Sequence, residues 1–259
     1  MKTFNNKIAL NLDSDAEVLV KGIIAPIEYT QHNYHVDWDE LANFRVAEPE
    51  KQYPASIFQA FLPSEPVSVG ECWQIEEEST LTLLRQLSPC PQLELDVAGA
   101  DSYGLWACLR AYNDAFAEIL FRIHAEFVLE KGWFAPSQFA GYMVIDRLEK
   151  KVTSFKMHVP DATLNFDVRW RLFGDERSGA DIGFCPQMEL CAGTQDILQD
   201  AKFTEAITQE EALHVLMLRF YKSAQINWVS LEEALELAPA LQKPIHAISS
   251  GGPLADESC

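Results

Sequence analysis

The chain has 259 residues, with 39 acidic and 20 basic side chains, a formal net charge of −19 and 48% hydrophobic residues. That apolar share excludes bulk disorder, and the length allows one large domain or two modest ones with a buried core. A surface this negative repels nucleic-acid phosphates and anionic lipids, so neither is an expected partner.

The start, Met1 to Asp15, alternates polar and apolar residues and lacks the basic and apolar regions of a signal peptide. No uncharged apolar stretch approaches the roughly 18 residues that suggest a membrane span, so a cytoplasmic location is expected. Asp13-Ser14-Asp15 opens like a calcium-binding loop, but Val18 stands at the glycine position and Ile24 at the closing one, so an EF-hand is rejected. Residues 1–70 hold scattered aromatics and four prolines between positions 49 and 66. They read as short elements packed on the next domain, including a helix from Asp37 to Phe44. His32 and His35 in this stretch support no assignment.

From Val67 to about Leu190 the period of two dominates. Ile119, Phe121, Ile123, Ala125 and Phe127 share one face of an expected strand within Ala115–Leu129, opposite Arg122, His124 and Glu126. Further strands are expected over Tyr142–Asp146, Val152–Val159 and Leu164–Trp170. Gly132, Pro136, Pro160-Asp161 and Gly174-Asp175 supply the turns. An antiparallel β domain over 71–200 follows. His124 and Glu126 resemble an H-x-E metal pair but lack the downstream cysteines of a zinc deaminase, so an ion-paired strand histidine near Arg122 is the preferred reading. Cys185 and Cys191 are six apart, which is not a CxxC spacing, and most of the six cysteines are expected to be reduced and buried. The six tryptophans read as core or core-edge residues. No cofactor or metal site is expected.

The pattern then changes. Thr208-Gln-Glu-Glu211 is a capping box before Ala212, Leu213, Leu216, Met217 and Phe220 at helical spacing, a connecting helix within 201–225. Residues 226–259 follow as a short strand, Ile226–Val229, and a second box, Ser230-Leu-Glu-Glu233, opening a helix that Pro239 kinks or ends. A buried strand, Ile245–Ser249, then leads through Gly251-Gly252-Pro253 to Cys259. The fold class is therefore α+β: a mainly antiparallel β domain, a helical connector and an incomplete thioredoxin-like β-α-β unit. In that fold a redox cysteine stands at a helix N-terminus, where the dipole favours thiolate. From spacing alone, a cysteine without a role stands beside the redox reading. His246, on the strand toward Cys259, is either a hydrogen-bonded core residue or a neighbour of the redox group. Asp256 and Glu257 either raise a nearby thiol or are solvated loop charges.

Phe121-Arg-Ile-His-Ala-Glu-Phe127, Phe134-Ala-Pro-Ser-Gln-Phe-Ala-Gly141, Leu164-Asn-Phe-Asp-Val-Arg-Trp170, Asp181-Ile-Gly-Phe-Cys-Pro-Gln-Met-Glu-Leu190 and the tail from Lys243 to Cys259 resemble the selenoprotein N family. The resemblance covers roughly residues 115–259. Family members carry a Ser-Cys-selenocysteine-Gly redox motif, and Ser258 and Cys259 match its first two positions. The resemblance implies a thiol/selenol oxidoreductase acting on a protein thiol or disulfide, with Cys259 resolving the intermediate made by the selenol that follows it. It also implies that the reading stops at an in-frame UGA or a fragment boundary, so that the 259-residue form is inactive. Animal members add a membrane anchor, an EF-hand and a link to calcium pumps, and neither structural feature is seen here. The alternative is a non-enzymatic interaction or sensor protein with a structural thioredoxin-like part. Substrate, reductant and oligomeric state are not readable.

Overall fold

The computed structural model of the chain describes residues 6–13, 15–93, 104–171, 178–195, 197–198, 201–220, 226 and 228–247. The first strands are β1 (Glu17–Ile24), β2 (Tyr29–Thr30), β3 (Glu50–Pro54), β4 (Cys72–Gln74) and β5 (Pro91–Leu93). The central ones are β6 (Leu105–Tyr112), β7 (Phe116–Ile123), β8 (Ala125–Leu129), β9 (Gly132–Pro136), β10 (Phe139–Asp146) and β11 (Lys151–His158). The last are β12 (Phe166–Arg171), β13 (Ser178–Phe184), β14 (Met188–Gly193) and β15 (Glu205–Ala206). Helices are α1 (Tyr34–Asp37), α2 (Asp39–Ala42), α3 (Ala55–Gln59), α4 (Glu77–Leu87), α5 (Gln209–Phe220) and α6 (Leu231–Leu241).

The strands form two antiparallel sheets. One has nine strands in the order β15-β6-β7-β10-β11-β14-β1-β3, with β4 also on the β6 edge. The other runs β2-β13-β12-β9-β8-β5. The chain passes between them repeatedly: at Ala25–Glu28 after β1, at His124 between β7 and β8, at Ser137–Gln138 between β9 and β10, and at Cys185–Gln187 between β13 and β14. This corrects the expected single strand over Ala115–Leu129. The alternation persists through it, but the paired strands change at His124, whose N–H makes the last bond on the β6 side, to Gly104 O at 2.9 Å. Period-two patterning reports the face a residue takes, not which strand it pairs with.

Both sheets feed one core. Phe121 packs against Phe61 and Phe155, with ring centroids 4.9 and 5.6 Å apart. Phe134 stacks on Phe166 at 4.7 Å. Phe127 of β8 meets Phe139 of β10 at 6.4 Å, a contact from one sheet to the other within the shared core. Aromatic pairs in such offset or edge geometry add to the burial that dominates stability.

A crossing interrupts a ladder, and the lost partners are replaced by backbone bonds outside it or by a buried polar side chain. Asn165, 2% exposed, is the clearest case. Its Nδ2 donates to Cys185 O at 2.9 Å and its Oδ1 accepts from Cys185 N at 2.8 Å, an artificial strand pairing at the β13–β14 crossing. Replacing Asn165 with alanine strands both Cys185 backbone groups. The expected loss is about 2–3 kcal/mol in urea unfolding, and a change below half a kilocalorie would mean water replaces the amide.

The first 70 residues enter the sheet itself: β1 pairs with both β14 and β3. The expected helix from Asp37 to Phe44 is shorter, α2, preceded by the single turn α1. Helix α4 was hidden inside the period-two region. Thr80, Leu83, Leu84 and Leu87 form its buried stripe, and Glu76 caps it by accepting from Ser79 N at 3.1 Å. The capping box of α5 is present in both directions: Glu211 N donates to Thr208 Oγ1 at 3.0 Å, and Thr208 N to Glu211 Oε2 at 2.8 Å. In α6, Glu233 N donates to Ser230 Oγ at 3.1 Å, and the helix ends two residues past Pro239, at left-handed Gln242. The expected flanking strands differ from the structure. Ile226, Trp228 and Val229, and residues 243–247, lie outside any ladder and are exposed. Apolar composition marks a buried strand only where a neighbouring strand supplies hydrogen bonds, and none of the described strands pairs with either segment.

Candidate functional site

Ser258 and Cys259, like the rest of 248–259, lie outside the described residues. His246 is described and exposed, so the buried-strand reading of it is corrected. No described helix is long and apolar enough to cross a membrane. Among the described residues no three His, Cys, Asp or Glu side chains converge so as to hold a metal ion. His124 and Glu126 are separated by the strand break rather than sharing one uninterrupted strand.

The five described cysteines are free thiols, and their burial is more varied than expected. Cys108 and Cys185 are buried, Cys72 and Cys191 half-buried, and Cys90 exposed. Burial pushes the Cys185 thiol up to about 11, and burial with the Glu189 carboxylate raises Cys191, so neither is a ready nucleophile. Cys72 and Cys108 are Cα partners on β4 and β6. Thirty-six residues apart, they carry no local motif, and only strand register reveals them.

Histidines 32 and 35 acquire a role that sequence spacing did not reveal. Asp181 on β13 has no exposed side-chain surface. Its carboxylate accepts from His32 N at 2.9 Å to each oxygen, Tyr34 N at 3.2 Å and Ile182 N at 3.0 Å, with His32 Nδ1 at 3.0 Å. Thr30 N in turn donates to His35 Nδ1 at 3.1 Å. Desolvation alone would raise the Asp181 carboxyl; the Thr30 hydroxyl and the N–H groups of His32 and Tyr34 outweigh it and hold the group below the usual carboxylate range. One buried charge thus pins the β2–α1 loop onto the six-stranded sheet.

That loop borders a groove of about 490 Å³. Tyr34, Trp38 and Trp170 supply its aromatic surface, Asp37, Asp39, Glu40 and Glu130 its four acidic residues, and Lys131 one cation among them. Glu40 also accepts from Glu130 N at 2.7 and 2.8 Å, fixing the opposite wall. Aromatic faces beside carboxylates suit a cationic side chain. The tryptophans are otherwise core or core-edge as expected, except Trp228, which is 37% exposed.

The chain is similar to selenoprotein N of zebrafish (Danio rerio), 30% identical over 83% of this chain and 48% of the relative. It is 28% identical to selenoprotein N of mouse and of human, over 82% of this chain and 48% and 45% of those proteins. The similarity reaches further toward the N-terminus than residues 115–259 can supply. The chain spans about half the length of the curated relatives it matches. No family profile and no solved structure matches it.

Proposed function

This chain belongs to a selenoprotein N-like family, and from that premise we propose that it is the substrate-facing part of a thiol/selenol oxidoreductase. The observation that carries the proposal is Ser258-Cys259 at the start of a family-type redox motif, following sequence blocks in the family's order. In this reading a selenocysteine after Cys259 attacks the substrate disulfide as selenolate. Cys259 then resolves the mixed selenenylsulfide, leaving a Cys259–selenium bond that a reductant reopens. Helix α6 is the helix of a thioredoxin-like unit, whose pairing with further strands would bury Ile226, Val229 and Ile245. The aromatic and acidic groove beside Asp181 receives a cationic stretch of a protein substrate.

The test is disulfide turnover by a chain that carries the motif through selenocysteine and glycine. Cys259→Ser is expected to lower turnover by on the order of a hundredfold, with unfolding unchanged. Undiminished turnover in that variant would sink the assignment. A second reading, a non-enzymatic interaction protein, rests on α6: Leu231, Leu235 and Leu241 are 58%, 59% and 57% exposed on it. A motif-complete chain that never cycles favours that reading.

A further inference from the structure

Cys72 and Cys108 lie directly opposite each other on antiparallel β4 and β6. Leu109 N donates to Glu71 O at 3.3 Å and Ile75 N to Leu105 O at 3.2 Å, so the 71–109 and 75–105 pairs are hydrogen-bonded. Antiparallel pairs alternate, which makes Cys72–Cys108 a non-hydrogen-bonded pair. Such pairs hold their Cα atoms roughly 4.5 Å apart with side chains close on one face. A disulfide spans Cα separations of about 4.4–6.8 Å. Cys108 Sγ–H donates to Leu109 O at 3.8 Å, and strand register sets the two thiols side by side on one face. Strand geometry has therefore placed two reduced sulfurs where a bond between them needs little backbone movement.

The surroundings make the pair unequal. Cys72 is half-buried and reachable, whereas Cys108 is fully buried. On the same face, two residues from Cys108, Trp106 carries Arg219 of α5 over its ring at 4.8 Å. The Cys108 thiol and the Arg219 cation both favour thiolate at Cys72, against desolvation and the Glu71 charge. Glu71 is partly diverted, accepting from Ser68 N at 2.9 Å and pairing with Lys7 at 3.8 Å. The neighbouring Cys72 sulfur and burial together hold Cys108 as thiol. An accessible nucleophile backed by a protonated resolving thiol is the arrangement that thiol–disulfide exchange requires.

We propose that Cys72 and Cys108 form a second, independent redox site, a cross-strand dithiol that exchanges with small disulfides of the glutathione type. The Cys72 thiolate attacks one sulfur of the disulfide, forming a mixed disulfide and expelling one thiolate. Cys108 then attacks Sγ of Cys72, its proton passing to the departing sulfur. The second thiol leaves and the Cys72–Cys108 bond forms. One disulfide is reduced to two thiols as one dithiol is oxidised.

The experiment takes the whole reduced chain through graded ratios of oxidised to reduced glutathione, blocks remaining thiols, and maps peptides by mass. The expected result is a Cys72–Cys108 linked peptide whose fraction rises with the ratio. Cys108→Ser is expected to stop at a mixed disulfide, with one glutathione on Cys72. Arg219→Gln is expected to slow the reaction about threefold to tenfold and move its pH–rate midpoint upward, with Arg219→Lys restoring both. The proposal is overturned if both thiols stay reduced at every ratio, or if glutathione in Cys108→Ser settles only on Cys90, Cys191 or Cys259. The wild-type map alone decides between formation and absence of the bond, whatever the variants do to folding.

Discussion

Asp181→Ala is expected to lower the free energy of unfolding at pH 7 by about 4 kcal/mol. The carboxylate is buried and holds the backbone N–H groups of His32, Tyr34 and Ile182, and alanine leaves all three without it. Asp181→Asn keeps the shape but turns an amide N–H₂ toward donors, so about half that loss is expected. The pH dependence has a definite sign. The folded carboxyl lies below its unfolded value of about 3.9. The native state therefore binds fewer protons, and the contribution is complete above roughly pH 4 and lost as pH falls through the folded value. The gap between wild type and Asp181→Asn, measured by urea unfolding at pH 7, 5 and 3, should narrow only at the lowest pH. A gap of constant size across that range would show that the carboxyl titrates in the fold as it does in the unfolded chain. The β2–α1 loop, with Tyr34 at the groove, should loosen in both variants.

Gly141→Ala is expected to cost about 4 kcal/mol or more, or to abolish soluble folding. A Cβ at Gly141 would stand 2.2 Å from Phe121 Cζ and 2.4 Å from Lys156 O. The first atom can swing away, although Phe121 is held between Phe61 and Phe155. The second cannot, because Lys156 belongs to β11, paired along its length with β10. Adding Phe121→Leu should therefore recover less than half of the loss in thermal unfolding, a split that assigns the remainder to backbone contact. A Gly141→Ala protein within about 1 kcal/mol of wild type would mean that β10 and β11 can spread at this point.

Much of the sheet was legible because alternation is local. Tyr142–Asp146, Val152–Val159 and Leu164–Trp170 each fall largely within β10, β11 and β12. The capping boxes at Thr208 and Ser230 were legible because a cap satisfies donors within one turn. The crossings were not, since His124 continues the alternation while changing sheets. Helix α4 was missed because its Glu76 cap lies outside the commonest capping residues. The Asp181 cage joins positions about 150 residues apart, and the Cys72–Cys108 pair depends on register. Neither leaves a spacing to read. The exposed segments around α6 show the converse, an apolar run without a ladder to join.

Strand β1 lies between β3 and β14, with Val20 opposite both Lys51 and Ala192. During synthesis its β3 edge can close almost at once, but β14 emerges about 170 residues later. At 5–20 residues per second, the other edge of β1 waits roughly ten to thirty seconds on the ribosome. An unpaired edge of that age invites pairing with another nascent chain. Glu17 and Lys21 alternate along its outer face with Leu19 and Ile23, so charge on every fourth residue guards the strand until its last partner arrives.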